Sequence, residues 1–430
     1  MVKIFIDYAK IINLLLILYT NQELLYSMLA IKKNRLSRTE ISSIRQAGGD
    51  LLKTIRDTRT LAREATEPTD LKHKALALVN KYRKDINEED LPKIQSQLKA
   101  FFDSQPVQPY CLRMDLDEAP EDQRIVIIGD THCDFNSLAG IIEKLSLSSY
   151  DYFEKARFIF LGDYLDRGKT LFEYIMLLVG LKKLLGERCI FLKGNHELIE
   201  MEDGQIVSMV FPADTAPTLN AYCGADQEFL RKFTDYFSGL PVYLVLKSAH
   251  GTDLLVHGGI PRDRLLDKLS LDPVTGEILA EASVREQALQ NMIWADPRTD
   301  RFKLQGGGSR FEFGREQFLR FADANGIGRL FRSHEPVRNG VESFYDGRLY
   351  TVFSNGGGHN PLTYYQYVDN PVFCLMDRSG EVRFESVLLK RVQVRKGLTV
   401  LDTVLEMGQE PASLRLEDLH LNPEFYIINQ

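Results

Sequence analysis

From Arg124 onward the chain repeats one pattern: a short apolar run that stops at a polar residue able to bind a metal. The runs are "RIVIIGD" (124–130), "RFIFLGD" (157–163), "CIFLKGN" (189–195), "DLLVHGG" (253–259), "RLFRSHE" (329–335) and "RLYTVFSN" (348–355). The first three end at Asp130, Asp163 and Asn195, spaced 33 and 32 residues apart. That is the length of a βαβ unit, and the intervening "NSLAGIIEKLSL" and "TLFEYIMLLVGLKKLLG" have helical patterning. Near-continuous apolar strands require cover on both faces. The expected fold is therefore α/β: a layered β-sheet core flanked by helices, over residues 105–390.

The flanks read differently. Residues 37–104 carry few turn signals, and Ser37 and Glu40 have capping-box spacing at a helix start. Three helices are expected, over "LLKTIRDTRTLAREA", "LKHKALALVNKYRKDI" and "EEDLPKIQSQLKAFFDS". They read as a hairpin or bundle that packs as an appendage or docks a partner. Residues 1–36 form an apolar N-terminal segment whose longest run, Ile11 to Tyr19, follows Asp7 and Lys10 and contains Asn13. It is far shorter than the roughly 20 residues of a membrane span, so no span is expected; Met28 is a second candidate start. Residues 391–430 read as a C-terminal extension with one possible strand, "VQVRKGLTV". A net charge of -7 argues against nucleic-acid binding. The five scattered cysteines form no CxxC pair, which points away from a disulfide framework or cysteine zinc site and fits a reduced compartment.

In open α/β sheets, ligands sit at the carboxyl ends of the strands. Asp130 and His132 follow the first run, Asp163 closes the second, and Asn195 with His196 closes the third. His257 and His334 close the fourth and fifth, so four of the eight histidines stand at strand ends. Mixed oxygen and imidazole ligands suit Mn, Fe or Zn. Asp130, His132, Asp163, Asn195, His257 and His334 are too many for one tetrahedral ion and suit two ions sharing a carboxylate. Paired ions activate water and clamp an in-line displacement at phosphorus. The stretch "FLGDYLDRGKT" is not a P-loop. Five residues rather than four separate Gly162 from Gly168, and Asp163 and Asp166 would repel a phosphate unless a cation lay between.

"GDTHCD", "GDYLDRG", "GNHE" and "HGG", in that order, resemble the signature motifs of the PPP phosphoprotein phosphatases, members of the calcineurin-like metallophosphoesterase fold. The resemblance covers about Arg124 to Asn355. It implies that Asp130 and His132 bind a first metal, that Asp163 bridges, and that Asn195, His257 and His334 complete a second. It implies His196 as the general acid, Asp166 as the carboxylate orienting it, and Arg167 as the phosphate grip, with Glu197 in a supporting role. The implied reaction is hydrolysis of phosphomonoesters on protein side chains, Tyr or Ser/Thr, by direct attack of metal-bound hydroxide, with two divalent ions, Mn foremost and Fe or Zn as alternatives.

Three departures fall on the substrate side. Cys133 stands where the family usually has Gly. Gly307 occupies the place of the second phosphate-binding Arg, leaving Arg310, with Arg298 and Arg301 behind it, to substitute. "FSNGGGHN" replaces the family's "SAPNY" and removes its aromatic wall; a glycine turn, with His359 beside it, is expected there. A widened mouth would admit phosphotyrosine. The helical element and altered loops are similar to the Wip effector phosphatases of intracellular bacteria, some of which act on tyrosine, which implies delivery into a host cell. A phosphodiesterase or dinucleoside-polyphosphate hydrolase on the same fold, and a non-catalytic binding module, are the competing readings.

Overall fold

The structure, a computed structural model, describes residues 70–84, 86–299 and 310–389. The apolar N-terminal segment, the first expected helix, Arg301, Gly307 and the tail lie outside these residues.

Two sheets form the centre. In one, β2 (Arg124–Ile128), β3 (Arg157–Phe160) and β4 (Cys189–Phe191) run parallel. The connecting helices are α3 (Phe135–Leu147) and α4 (Leu171–Leu185), as the spacing of the first three runs requires. The antiparallel strands β16 (Val372–Asp377) and β17 (Val382–Ser386) extend its β2 edge. The other sheet has the order β1 (Cys111–Asp115), β7 (Tyr243–Ser248), β8 (Gly251–Val256), β13 (Ile327–Arg332), β15 (Leu349–Val352), β14 (Val341–Phe344). Short pairs complete the strands: β5 (Ile199–Glu202) with β6 (Gln205–Ser208), β9 (Ser270–Leu271) with β10 (Ile278–Leu279), and β11 (Ala295–Pro297) with β12 (Phe311–Phe313).

The two-residue period of a strand sorts its side chains between two cores. Ile125, Ile127 and Ile159 face Leu244, Leu255 and Phe331 of the other sheet. Val126, Ile128, Phe158 and Phe160 face helices. The apolar strands thus have the double cover their composition demands, but one cover is a second sheet and not a second helical layer. Helices α5 (Thr215–Cys223) and α6 (Gln227–Ser238) join the helical side of the first sheet, whereas α7 (Ala282–Met292) covers the second, with Ala288 and Met292 packed among Val245, Leu254 and Leu330.

Two of the expected N-terminal helices are present as α1 (Leu71–Tyr82) and α2 (Leu91–Asp103). Asp70 caps α1, its carboxylate accepting the His73 N–H at 2.8 Å. Ala75 and Val79 of α1, and Ile94, Leu98, Phe101 and Phe102 of α2, are buried in the same apolar cluster as Val126 and Phe158. Phe102 packs on Tyr236 at 4.9 Å and edge-on to Phe233 at 6.0 Å. These helices share the core of the sheet's outer layer, where an appendage would have a core of its own.

Candidate metal and phosphate site

The strand ends bring the six predicted metal-binding residues to one place. Asp130 lies two residues past β2; its N–H donates to Ser333 Oγ at 2.8 Å and its Oδ1 accepts the His334 N–H at 3.1 Å. Asp163 follows β3 and accepts the His196 N–H at 3.0 Å. Asn195 and His196 form one tight helical turn after β4. His257 directly follows β8, and His334 lies two residues past β13. Both sheets therefore deliver residues to one edge. His132, Cys133, Asp163, Asp166, Arg167 and His334 all have positive φ, from 45° to 71°. Left-handed backbone is costly for residues with a Cβ and clusters at functional sites.

The histidine tautomers follow from their partners. A carbonyl only accepts, so His132 Nδ1 donates to Leu165 O at 2.8 Å and His257 Nδ1 donates to Leu161 O at 3.1 Å. In the neutral rings each Nε2 then presents a lone pair inward. His257 Nε2 lies 2.9 Å from Asn195 Oδ1, 3.1 Å from His334 Nδ1 and 3.3 Å from Asp163 Oδ1. His132 Nε2 lies 3.4 Å from Asp163 Oδ2 and 3.6 Å from Asp130 Oδ2. Asp130 Oδ2 is buried without a hydrogen-bond partner. Burial opposes charge on His132 and His257, yet Asp130 and Asp163 raise both above the ordinary imidazole range. Burial, reinforced by the Asp163 charge, pushes Glu197 up to about 7. The site is short of positive charge. Two groups, His132 with Asp163 and His196, and Asp163 with His257 and His334, each hold their donor atoms within 4.8 Å and share Asp163. Such a donor set fits two cations with one bridging carboxylate.

The residues beside this centre are equally well fixed. His196 Nδ1 is 2.7 Å from Asp166 Oδ2, and His196 Nε2 is 4.0 Å from Asp163 Oδ2. Asp166 Oδ1 accepts the N–H groups of Asp214 at 2.9 Å and Thr215 at 2.8 Å. Glu197 accepts from the N–H groups of Gly194, Asp163 and Tyr164, each at 2.8 Å, and Leu165 at 3.3 Å. Arg167 Nη1 donates to Tyr365 Oη at 2.6 Å, while its Nε is buried without a partner.

A model of the calcineurin-like phosphoesterases matches residues 123–338, half of the chain. The chain belongs to that family. It is 28% identical over 235 residues to a probable serine/threonine-protein phosphatase of Encephalitozoon cuniculi, covering 54% of this chain and 46% of that one. It is 29% identical over 240 residues to the serine/threonine-protein phosphatase 4 catalytic subunit of Eremothecium gossypii, covering 54% of this chain and 69% of that one. The chain thus spans about half of the first relative's length and rather more of the second's. A solved protein serine/threonine phosphatase from Saccharomyces cerevisiae, with similarity to human phosphatase PP5, shares the fold at a TM-score of 0.52 and 20% identity, covering 72% of this chain and 92% of that one.

As a calcineurin-like phosphoesterase, the chain departs from the PPP motifs in ways the structure explains. Cys133 is fully buried, its Sγ against Tyr164 O at 3.3 Å, at φ 49°. The left-handed backbone accounts for glycine being usual there. Burial raises the thiol well above its ordinary range, so it is poorly set up for redox chemistry. Arg310 is half exposed; its Nε donates to Asp296 Oδ2 at 2.6 Å, and its Nη2 lies 3.7 Å from Glu335 Oε1. Asp296 Oδ1 in turn lies 3.8 Å from His334 Nε2, which places Arg310 beside the centre but held by a carboxylate. Arg298 is engaged by Glu312 at 2.7 Å and Glu335 at 2.9 Å. His359 is exposed at the surface of the glycine turn.

An aromatic ring does stand beside the centre, from a residue outside the matched motifs. Tyr365 is buried, stacks on His132 with ring centroids 5.3 Å apart, and holds Arg167. The signal is "TYYQY", three tyrosines within residues 364–367, beginning three residues past "FSNGGGHN".

Proposed function

We propose that this chain is a dimetal-dependent phosphoprotein phosphatase hydrolysing phosphomonoesters on protein side chains. The observation that carries the reading is the convergence of Asn195 Oδ1, His334 Nδ1 and Asp163 Oδ1 on His257 Nε2, at 2.9, 3.1 and 3.3 Å. The His257 Nε2 lone pair, Asn195 Oδ1 and Asp163 Oδ1 are facing acceptors, and a cation resolves their repulsion. Asp130, His132 and Asp163 would hold one ion; Asp163, Asn195, His257 and His334 would hold the other. Mn suits the mixed carboxylate and imidazole set, with Fe and Zn as alternatives. When bound, the pair of ions supplies an activated water and positive charge for the phosphoryl oxygens.

The chain's own residues do the rest. Asp166 fixes the His196 imidazole through Nδ1, which leaves Nε2 facing the centre to hold a proton and hand it to the departing alkoxide oxygen. Arg167 presents buried, unpartnered Nε–H to a phosphate oxygen. Arg310 stands as a second cation at the mouth, screened by solvent and shared with Asp296.

The substrate class follows from the mouth. Relatives named as serine/threonine phosphatases support phosphoserine or phosphothreonine, and Tyr365 restores the wall whose loss would have favoured phosphotyrosine. The deciding experiment is turnover by the Mn-loaded chain on paired phosphoserine and phosphotyrosine peptides and on a phosphodiester. Faster release of phosphate from phosphoserine is expected. A preference for the diester would replace this reading with a phosphodiesterase.

A further inference from the structure

We propose that Tyr365 is a positioning residue for phosphate recognition: its hydroxyl sets which edge of the Arg167 guanidinium faces the substrate. The inference rests on the phosphatase reading and adds to it a residue outside the four recognition motifs.

A guanidinium can meet a phosphate through either of two two-nitrogen edges, Nε with Nη2 or Nη1 with Nη2. Tyr365 Oη accepts one of the two Nη1 N–H groups at 2.6 Å, which fixes the orientation of the guanidinium plane. Nε is buried and has no hydrogen-bond partner. The edge that carries an unengaged buried donor, and that an anion would take, is Nε with Nη2. Arginine has many rotamers of similar energy, so fixing one in advance removes an entropic cost from binding.

The loop that carries Tyr365 is attached to the very segment it orients. Lys169 N–H donates to Leu362 O at 2.9 Å, Gly168 pairs with Thr363 in an antiparallel bridge, and Tyr364 N–H donates to Arg167 O at 3.3 Å. From the other side, the Arg167 N–H donates to Asp214 Oδ2 at 3.3 Å. The root of the loop is fixed by Gly357 N–H donating to Val368 O at 2.9 Å and by Asn360 Nδ2 donating to Asp134 Oδ2 at 2.6 Å. The Tyr365 ring is 4% exposed, stacked on His132 and set edge-on to Phe353 at 5.0 Å. Ring and hydroxyl thus have separate duties: the ring fills the wall, and the hydroxyl aims Arg167.

Tyr365→Phe separates these duties, because it keeps the ring and removes the oxygen. On the Mn-loaded full chain, calorimetry with inorganic phosphate should show affinity weakened about tenfold, the scale of one hydrogen bond to a charged group. KM for a phosphopeptide should rise by a similar factor with kcat falling less, and bound metal should be unchanged. In an Arg167→Lys background, which lacks Nη1, adding Tyr365→Phe should change phosphate affinity less than about twofold. Tyr367→Phe, at an exposed ring, serves as the control and should match the parent. Unchanged phosphate affinity in Tyr365→Phe, an undiminished effect in the Arg167→Lys background, or loss of metal in Tyr365→Phe would each overturn the inference while leaving the phosphatase reading in place. A parent chain that takes up Mn but neither binds phosphate nor hydrolyses the peptides would overturn both.

Discussion

The metal side of the site and its substrate side are assembled by different means. On the metal side, every group lies within a few residues of a strand end, and strands of both sheets point to the same edge. On the substrate side, Arg167 and Tyr365 arrive from loops, and the charged groups at the ends of β11, β12 and β13 are held by one another. Arg332 is fully buried, its Nε donating to Gly258 O at 2.6 Å, its Nη2 to Asp296 Oδ1 at 2.9 Å and its Nη1 to Glu335 Oε2 at 3.0 Å. Arg298 and Arg310 attach to the same two carboxylates. A strand converts sequence spacing into position; a loop leaves position to whichever partners its side chains find.

Substitutions on the two sides should therefore fail differently. Asp163→Asn should be the most severe, because Asp163 is shared by both donor groups. Metal affinity, measured by titration and elemental analysis, should fall by more than the 10–100-fold typical of supporting residues, and turnover should go with it. His196→Ala should lower kcat by roughly 10²–10⁴-fold with metal content nearly unchanged; stripping of the metal would instead make His196 a ligand. Asp296→Ala should act on folding first, since it takes from the buried Arg332 one of its two carboxylates. A destabilisation of about 1.5–3 kcal/mol in denaturant unfolding is expected, the scale of a lost hydrogen bond to a charged group. Asp166→Asn should cost about 10–100-fold in kcat, the reach of a residue that orients another, and a milder loss than His196→Ala is the point to check. Arg310→Ala should raise KM by no more than about fivefold, as befits a half-exposed ion pair; a larger rise would move Arg310 from the rim into direct phosphate binding.

That contrast also explains what could be read in advance. Asp130, His132, Asp163, Asn195, His257 and His334 were legible because apolar runs announce strands and strand ends are the place where an α/β sheet collects ligands. The second sheet was not legible, because a strand buried on both faces looks the same whether helices or strands cover it. Nor was the packing of α1 and α2, whose apolar faces say that something is covered without saying what covers it. Tyr365 was hidden for a further reason. Its role depends on the register between residues 362–364 and 167–169, which are nearly 200 positions apart in the chain, and no local pattern encodes such pairing.

The Glu197 carboxylate has a mechanical consequence. It clasps four backbone amides, three from the loop after β3 and one just ahead of its own turn. Those two loops are thereby riveted into a single rigid jaw, so neither can hinge without the other. The opposite side of the site, at Arg298, Arg310 and Arg332, is fastened by side chains instead.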